Sequence, residues 1–214
     1  MSERMLTEPN TARGRPKDPA KRRAILEAAK TLFLTHGFAG TSMDAVAAEA
    51  GVSKLTVYSH FSDKETLFSS AVAAKCENQM PMPMFTLREG QPVEVLLQQI
   101  GEAFLEMIYS DDSMQMMRLI NAVGTQDQTM AQLFYAAGPQ HIQSAMSQLL
   151  EQTNAQGQLN IPDTLHAGEL FFGMLQGGCR HIQIMLGCKN PPAKEENRVH
   201  VAEVVRIFMR AYGC

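Results

Sequence analysis

Apolar residues recur at helical spacing almost from end to end of the chain. Ile25, Leu26, Ala29, Leu32 and Phe33 fall on one face of a 3.6-residue period, predicting a first helix from about Lys17. Gly37 is expected to stop it after His36, as a glycine beyond a helix C-terminus does. Gly40-Thr41-Ser42 offers a turn and hydroxyl caps, with Asp44 as Thr41's capping-box partner, for a short second helix whose inner stripe is Met43, Val46, Ala47 and Ala50. Gly51 ends that helix. Ser53 caps a third, Lys54 to Phe61, with Val57 and Phe61 inside. Ser62 and Glu65 form an S-x-x-E box opening a fourth helix, 64–79, which buries Leu67, Phe68, Ala71 and Val72.

Met80-Pro81-Met82-Pro83-Met84 cannot continue a helix, because each proline removes a donor and restricts its predecessor; it is expected to be a linker or a bent loop between subdomains. Beyond it the pattern predicts helices at 92–109, 112–123, 127–152 (interrupted at Gly138-Pro139), 163–186 and 193–212. No hairpin signal or alternating β-branched stretch appears. The expected fold is all-α, with an arm at 1–16, a helix-turn-helix domain at 17–79 and a helical C-terminal domain at 80–214.

The formal net charge of −3 is unevenly spread: residues 1–75 hold 11 Lys+Arg against 8 Asp+Glu, and residues 76–214 hold 8 against 14. A basic front on an acidic body points to a polyanion contacted at one end. Arg13-Gly14-Arg15-Pro16 in the arm could lie in an A·T-rich minor groove or be a solvated tail. No apolar run approaches the roughly 18 residues of a membrane span, and no signal-peptide core opens the chain, so a cytoplasmic protein is expected. The four cysteines form no C-x-x-C pair and read as free thiols. No hydrolase elbow, zinc-protease, phosphate-loop, dinucleotide or calcium-loop motif is present, and Cys179 and His181 are two positions apart on a helix, facing different ways. Neither catalytic residue, metal nor cofactor is expected.

Residues 42–61, SMDAVAAEAGVSKLTVYSHF, have the make-up of a helix-turn-helix: a small-faced helix, a glycine turn and a second helix with a polar outer face. On pattern alone a solvated helical corner is the competing reading. The residues here carry a resemblance: Ala24–Phe33, Gly37-Phe38, Thr41-Ser42, Ala50 to Lys54, Thr56-Val57-Tyr58, His60-Phe61 and Lys64-Glu65 are similar to the DNA-binding domain of the TetR family of bacterial repressors, with Thr56–Phe68 further resembling its AefR-like branch. The resemblance implies duplex operator DNA as partner. It implies that Thr41 and Ser42 meet a phosphate, that Ser53, Lys54, Leu55, Thr56 and Ser59 lie on the groove side, and that Tyr58, His60 and Lys64 touch the backbone. Leu55 departs from the small residue or proline usual there; it can pack on a thymine methyl but cannot read a hydrogen-bond code.

Residues 80–214 hold 12 of the 15 methionines. Methionine fills irregular space, so these positions read as core, dimer interface or an adaptable apolar pocket. With the resemblance, a hydrophobic small-molecule inducer is expected near Phe104, Met107, Met114, Met117, Phe134, Phe171 and Met174. A homodimer through helices 163–186 and 193–212 is also implied, with Gly168, Gly173, Gly177 and Gly178 permitting close helix approach. A thiol-switched repressor using Cys179 or Cys188 is the alternative, and a small-molecule-binding enzyme a further one.

Overall fold

The computed structural model describes residues 18–123 and 128–214. The arm and its Arg13–Pro16 element lie outside these residues. The described chain runs through α1 (Pro19–Gly40), α2 (Met43–Glu49), α3 (Lys54–His60), α4 (Lys64–Gln79), a 3-10 turn (Met82–Phe85), α5 (Val93–Ile108), α6 (Asp111–Val123), α7 (Gln128–Ala137), α8 (Pro139–Ala155), α9 (Thr164–Gln176), α10 (Cys179–Met185) and α11 (Lys194–Tyr212). Among the described residues extended pairing is confined to an isolated bridge between Leu159 and Gly213. No helix there is long and apolar enough to cross a membrane. The fold is all-α, a helix-turn-helix followed by a helical domain.

The first three helices start where capping chemistry directs. Asp18 accepts from the Ala20 amide, and Pro19 occupies the first turn, where its missing N–H costs nothing. At Gly37 (φ 70°, ψ 177°) the backbone leaves the helical region, so the first helical run ends there as expected, and a further short turn continues to Gly40. Thr41 does not cap α2. Its hydroxyl donates to the Gly37 carbonyl at 2.8 Å and the residue is buried, so Ser42 accepts from the Ala45 amide instead. Nor does Ser62 cap α4. Asp63 takes the Thr66 amide at 2.7 Å, and the Ser62 hydroxyl donates to that same carboxylate. Hydrogen bonds from Thr66, its side chain first and then its amide, and from the Ser62 hydroxyl hold the Asp63 carboxyl below its ordinary pKa.

Two hydrophobic cores result. The first gathers Ile25, Phe33, Val46, Val57, Phe61, Leu67 and Phe68 from α1 to α4, and draws in Ile120 from α6 and Met130 from α7. Phe33, Phe38 and Phe68 form an aromatic trio, with Phe68 edge-on to the other two at 5.3 and 5.7 Å. The second core lies among α5, α8, α9 and α11, where Phe171 meets Phe208 edge-on at 5.4 Å. The methionine-proline stretch is packed rather than slack, because Met80 and Phe85 are buried in this second core.

The helix expected over 163–186 is two helices. Gly177 (φ 68°, ψ 36°) and Gly178 (φ 53°, ψ −112°) take backbone conformations open chiefly to glycine, and they divide α9 from α10. The four glycines therefore do not line one face. Gly168 is the tight one, since an added Cβ would come within 3.3 Å of the Met146 side chain on α8 of the same chain, whereas Gly173 faces open space.

Closer still is the crossing of α5 and α11, where a Cβ on Gly101 would lie 2.6 Å from Cγ1 of buried Val201. Val201 is stiff at χ1 and cannot swing aside. Gly101→Ala should therefore lower the unfolding free energy by about 1–3 kcal/mol despite alanine's better helix propensity. Urea titration checks this, and adding Val201→Ala should return part of the loss.

Candidate nucleic-acid interface and ligand cavity

The α3 helix presents one face inward and the rest outward. Val57 and the following Phe61 are buried against α1 and α2, leaving Lys54, Leu55, Tyr58 and Ser59 on the surface. Leu55 is 80% exposed and Tyr58 44%. Ser53 caps α3 by accepting from the Thr56 amide at 3.1 Å, and the two hydroxyls are 2.8 Å apart. Ser59 donates to the Thr56 carbonyl. Gly51 (φ 65°) makes the turn between α2 and α3.

The cations divide into one that is free to move and one that is built in. Lys54 pairs with Asp44 at 2.8 Å with both side chains more than half exposed, a contact weak enough to exchange for a phosphate. Lys64 is structural as well as polar: its ammonium donates to the Phe38 carbonyl at 2.8 Å and the Thr41 carbonyl at 3.0 Å, and lies 4.4 Å from the centre of the Phe38 ring. It thus ties α4 to the α1–α2 corner. Thr41, buried and turned to Gly37, helps shape that corner and keeps its hydroxyl off the surface, whereas Ser42 is exposed. His60 is half-buried beside Phe61, and among the described residues its Nδ1 has no hydrogen-bond partner.

A cavity of about 230 Å³ lies where the two cores meet. Of the seven residues expected around a ligand, Phe104, Met107, Met117 and Phe134 line it. Met114, Phe171 and Met174 do not: they pack into the second core, Phe171 fully buried against Phe172 and Phe208. Phe171 and Phe172 are neighbours in sequence, and the helical turn between them puts only Phe172 on the cavity. The wall that sequence reasoning missed comes from the first domain: Phe33 from α1, with Phe68, Val72 and Cys76 from α4. The signal was present as buried periodicity, which shows that a face is covered but not that it borders a cavity.

The lining is mostly apolar with a charged rim. Lys30 of α1 pairs with Glu27 at 2.7 Å and with Asp112 of α6 at 3.3 Å, and Lys75 of α4 reaches Asp112 at 3.6 Å. Burial pushes the Cys76 thiol pKa up, so it stays protonated and is a poor thiolate nucleophile. Burial pushes the His181 imidazole down, so it is neutral at neutral pH. Among the described residues its buried Nδ1 has no hydrogen-bond partner, nor has the hydroxyl of Tyr109, whose ring centre is 5.9 Å away. Arg118 of α6 donates to the Met185 and Ile184 carbonyls at 3.0 and 3.3 Å, placing a cation at the C-terminal end of α10, where the helix dipole favours it. Among the described residues no three His, Cys, Asp or Glu side chains converge as a metal site.

Comparison with known proteins matches both halves of the chain. Residues 95–214 match the family described as "AefR-like transcriptional repressor, C-terminal domain", and residues 25–71 match "Bacterial regulatory proteins, tetR family". A TetR-family transcriptional regulator from Mesorhizobium loti MAFF303099 superposes with a TM-score of 0.75 at 28% identity, covering 92% of this chain and 100% of that one. The flavonoid-responsive regulator FrrA gives 0.70 at 30% identity, covering 92% and 98%. The Bacillus subtilis (strain 168) HTH-type transcriptional regulator YerO is 32% identical over 122 residues, 54% of this chain and 40% of YerO. The chain thus spans well under half of that curated relative, and 36% of the related YdeS of the same strain.

Proposed function

The chain belongs to the TetR family of bacterial regulatory proteins, DNA-binding transcriptional regulators with a helix-turn-helix, and from that premise we propose that it is a cytoplasmic, homodimeric repressor released from a near-palindromic operator by a hydrophobic small molecule. The observation that carries this reading is the shared wall of the cavity. Phe33 and Phe68 belong to the core that positions α3 and also line the space a ligand would fill. An occupant therefore presses on the DNA-binding domain directly. FrrA, whose name records a response to flavonoids, shows that a similar fold serves a small-molecule-responsive regulator.

Dimerisation is supported by the apolar residues left exposed on the outer helices, Leu165 and Leu170 on α9 with Val199 and Ile207 on α11. Two α3 helices enter successive major grooves only when held about 34–36 Å apart. On DNA, Ser42 and the α2 N-terminus, Lys54, Tyr58, His60 and Lys64 serve the phosphates, while Ser53, Leu55, Thr56 and Ser59 approach base edges.

The test uses the purified protein and duplex from upstream of its own coding region. Affinity should fall steeply with salt, and Tyr58→Ala should weaken all duplexes alike. Leu55→Ser should instead change which sequences are preferred, by about 1–3 kcal/mol per base contact. A Leu55→Ser protein with an unaltered sequence preference would remove α3 from the groove. Ligand and operator must oppose each other reciprocally, by 5–150-fold if the coupling is of the usual ~1–3 kcal/mol. A ligand that fills the cavity and leaves operator affinity untouched would refute release by this route.

A further inference from the structure

The charges at the rim of the cavity point to the chemistry of its occupant. Among the ionisable side chains that line it, Lys30 and Lys75 are cationic, Asp112 is the single carboxylate, and Cys76 and His181 are neutral at neutral pH. Counting the lining alone, cations outnumber carboxylates by one, and Glu27, outside it and 2.7 Å from Lys30, restores the balance. Lys75 is the poorly served cation: among the described residues its ion-pair partner is Asp112 alone, at 3.6 Å and shared with Lys30. That distance is long beside the roughly 2.7–2.9 Å of a direct charge-assisted hydrogen bond.

Building on the reading of this cavity as the ligand site, we propose that it takes a monoanionic amphiphile, an apolar body bearing one carboxylate, with the carboxylate seated between Lys30 and Lys75 in place of Asp112. The apolar walls from α5, α6 and α8 receive the body, and they offer no second cation for a dianion. The volume, below the roughly 300–1,000 Å³ of pockets for drug-sized ligands, suits a small ring system or a medium acyl chain. A neutral ligand leaves the Asp112 pairs as they are, and a cationic one meets two ammoniums.

The exchange has a mechanical meaning. Lys30 and Lys75 stand on α1 and α4, in the DNA-binding domain, whereas Asp112 stands in the first turn of α6. In the free protein the two ion pairs hold α6 to both helices. A carboxylate from the ligand satisfies the same ammoniums without α6, so binding trades an interdomain tie for a ligand contact.

The experiment is calorimetry on the full-length protein without DNA. The probes are 2-naphthoate and decanoate, each compared with its neutral alcohol, 2-naphthalenemethanol or 1-decanol. At least one acid should bind about 10–100-fold more tightly than its alcohol, the scale of a hydrogen bond to a charged group. Lys75→Met should erase that preference by weakening the acid, and Lys75→Arg should restore it. Asp112→Asn should strengthen the acid, a gain that a misfolded variant would not show. Equal binding of acid and alcohol, a preference that survives Lys75→Met, or no binding by any of the four probes overturns the proposal. Operator affinity is then measured with the same probes. An alcohol that binds as well as its acid and releases DNA sinks this inference and spares ligand release. An acid that binds through Lys75 without weakening DNA does the reverse.

Discussion

Replacing Phe68 by alanine should lower the unfolding free energy by about 3–5 kcal/mol, the usual cost of emptying a buried phenylalanine site. The ring is fully buried and edge-on to both Phe33 and Phe38, so the variant loses two aromatic contacts as well as buried area. The surroundings cannot collapse to fill the gap, because one side of Phe68 already borders a cavity. The void adds to the space above it, and the seat of α4 under the helix-turn-helix loosens. Operator binding should be lost well below the temperature at which the second core melts. Urea unfolding followed by circular dichroism, with duplex titration alongside, measures both. Phe68→Leu, which keeps most of the volume, should recover much of the stability. A loss under 1 kcal/mol for the alanine variant would mean that the aromatic trio does not support the domain.

Lys64→Met is expected to act twice. It leaves the Phe38 and Thr41 carbonyls without their charged donor and removes the cation from the Phe38 ring. Because the site is only half-buried, water recovers part of the loss, and the cost is about 1–3 kcal/mol. On DNA, each subunit of a dimer gives up one phosphate contact, so affinity falls for every sequence alike. The slope of log affinity against log salt should then become shallower by about 2 per dimer. Lys64→Arg should keep the phosphate contact while fitting the carbonyl corner less well. If the methionine variant loses stability but keeps the wild-type salt slope, Lys64 is a structural tie and no phosphate ligand.

The DNA-binding half was legible in the sequence because short helices need strong local punctuation. Ser53 and Gly51 were read correctly for that reason: a hydroxyl at the cap and a glycine at the turn leave few alternatives. Ambiguity arose where two good caps adjoin. Ser42 lies beside Thr41 and Asp63 beside Ser62, and the sequence signature fits either neighbour; which one caps depends on which side chain the fold buries or recruits elsewhere. Gly177 and Gly178 misled differently. Amid an apolar run they looked like small residues for helix contact, whereas their positive φ angles break the helix. The cavity wall was half legible, since helical spacing fixes which residues turn inward but not which inward residue meets another side chain and which meets a void.

The double membership of Phe33 and Phe68, at once core and cavity wall, bears on how the proposed ligand response could change over generations. Altering that wall taxes the fold, so variation there is held in check whatever advantage a new ligand brings. Across the cavity, Met107, Met116, Met117 and Met185 come from α5, α6 and α10, and thioether chains repack around altered shapes at small cost. New specificities should therefore accumulate on the methionine side while the phenylalanine side stays fixed. A library randomised at those four methionines ought to yield far more folded, DNA-binding variants than one of equal size randomised at Phe33, Phe68, Val72 and Cys76.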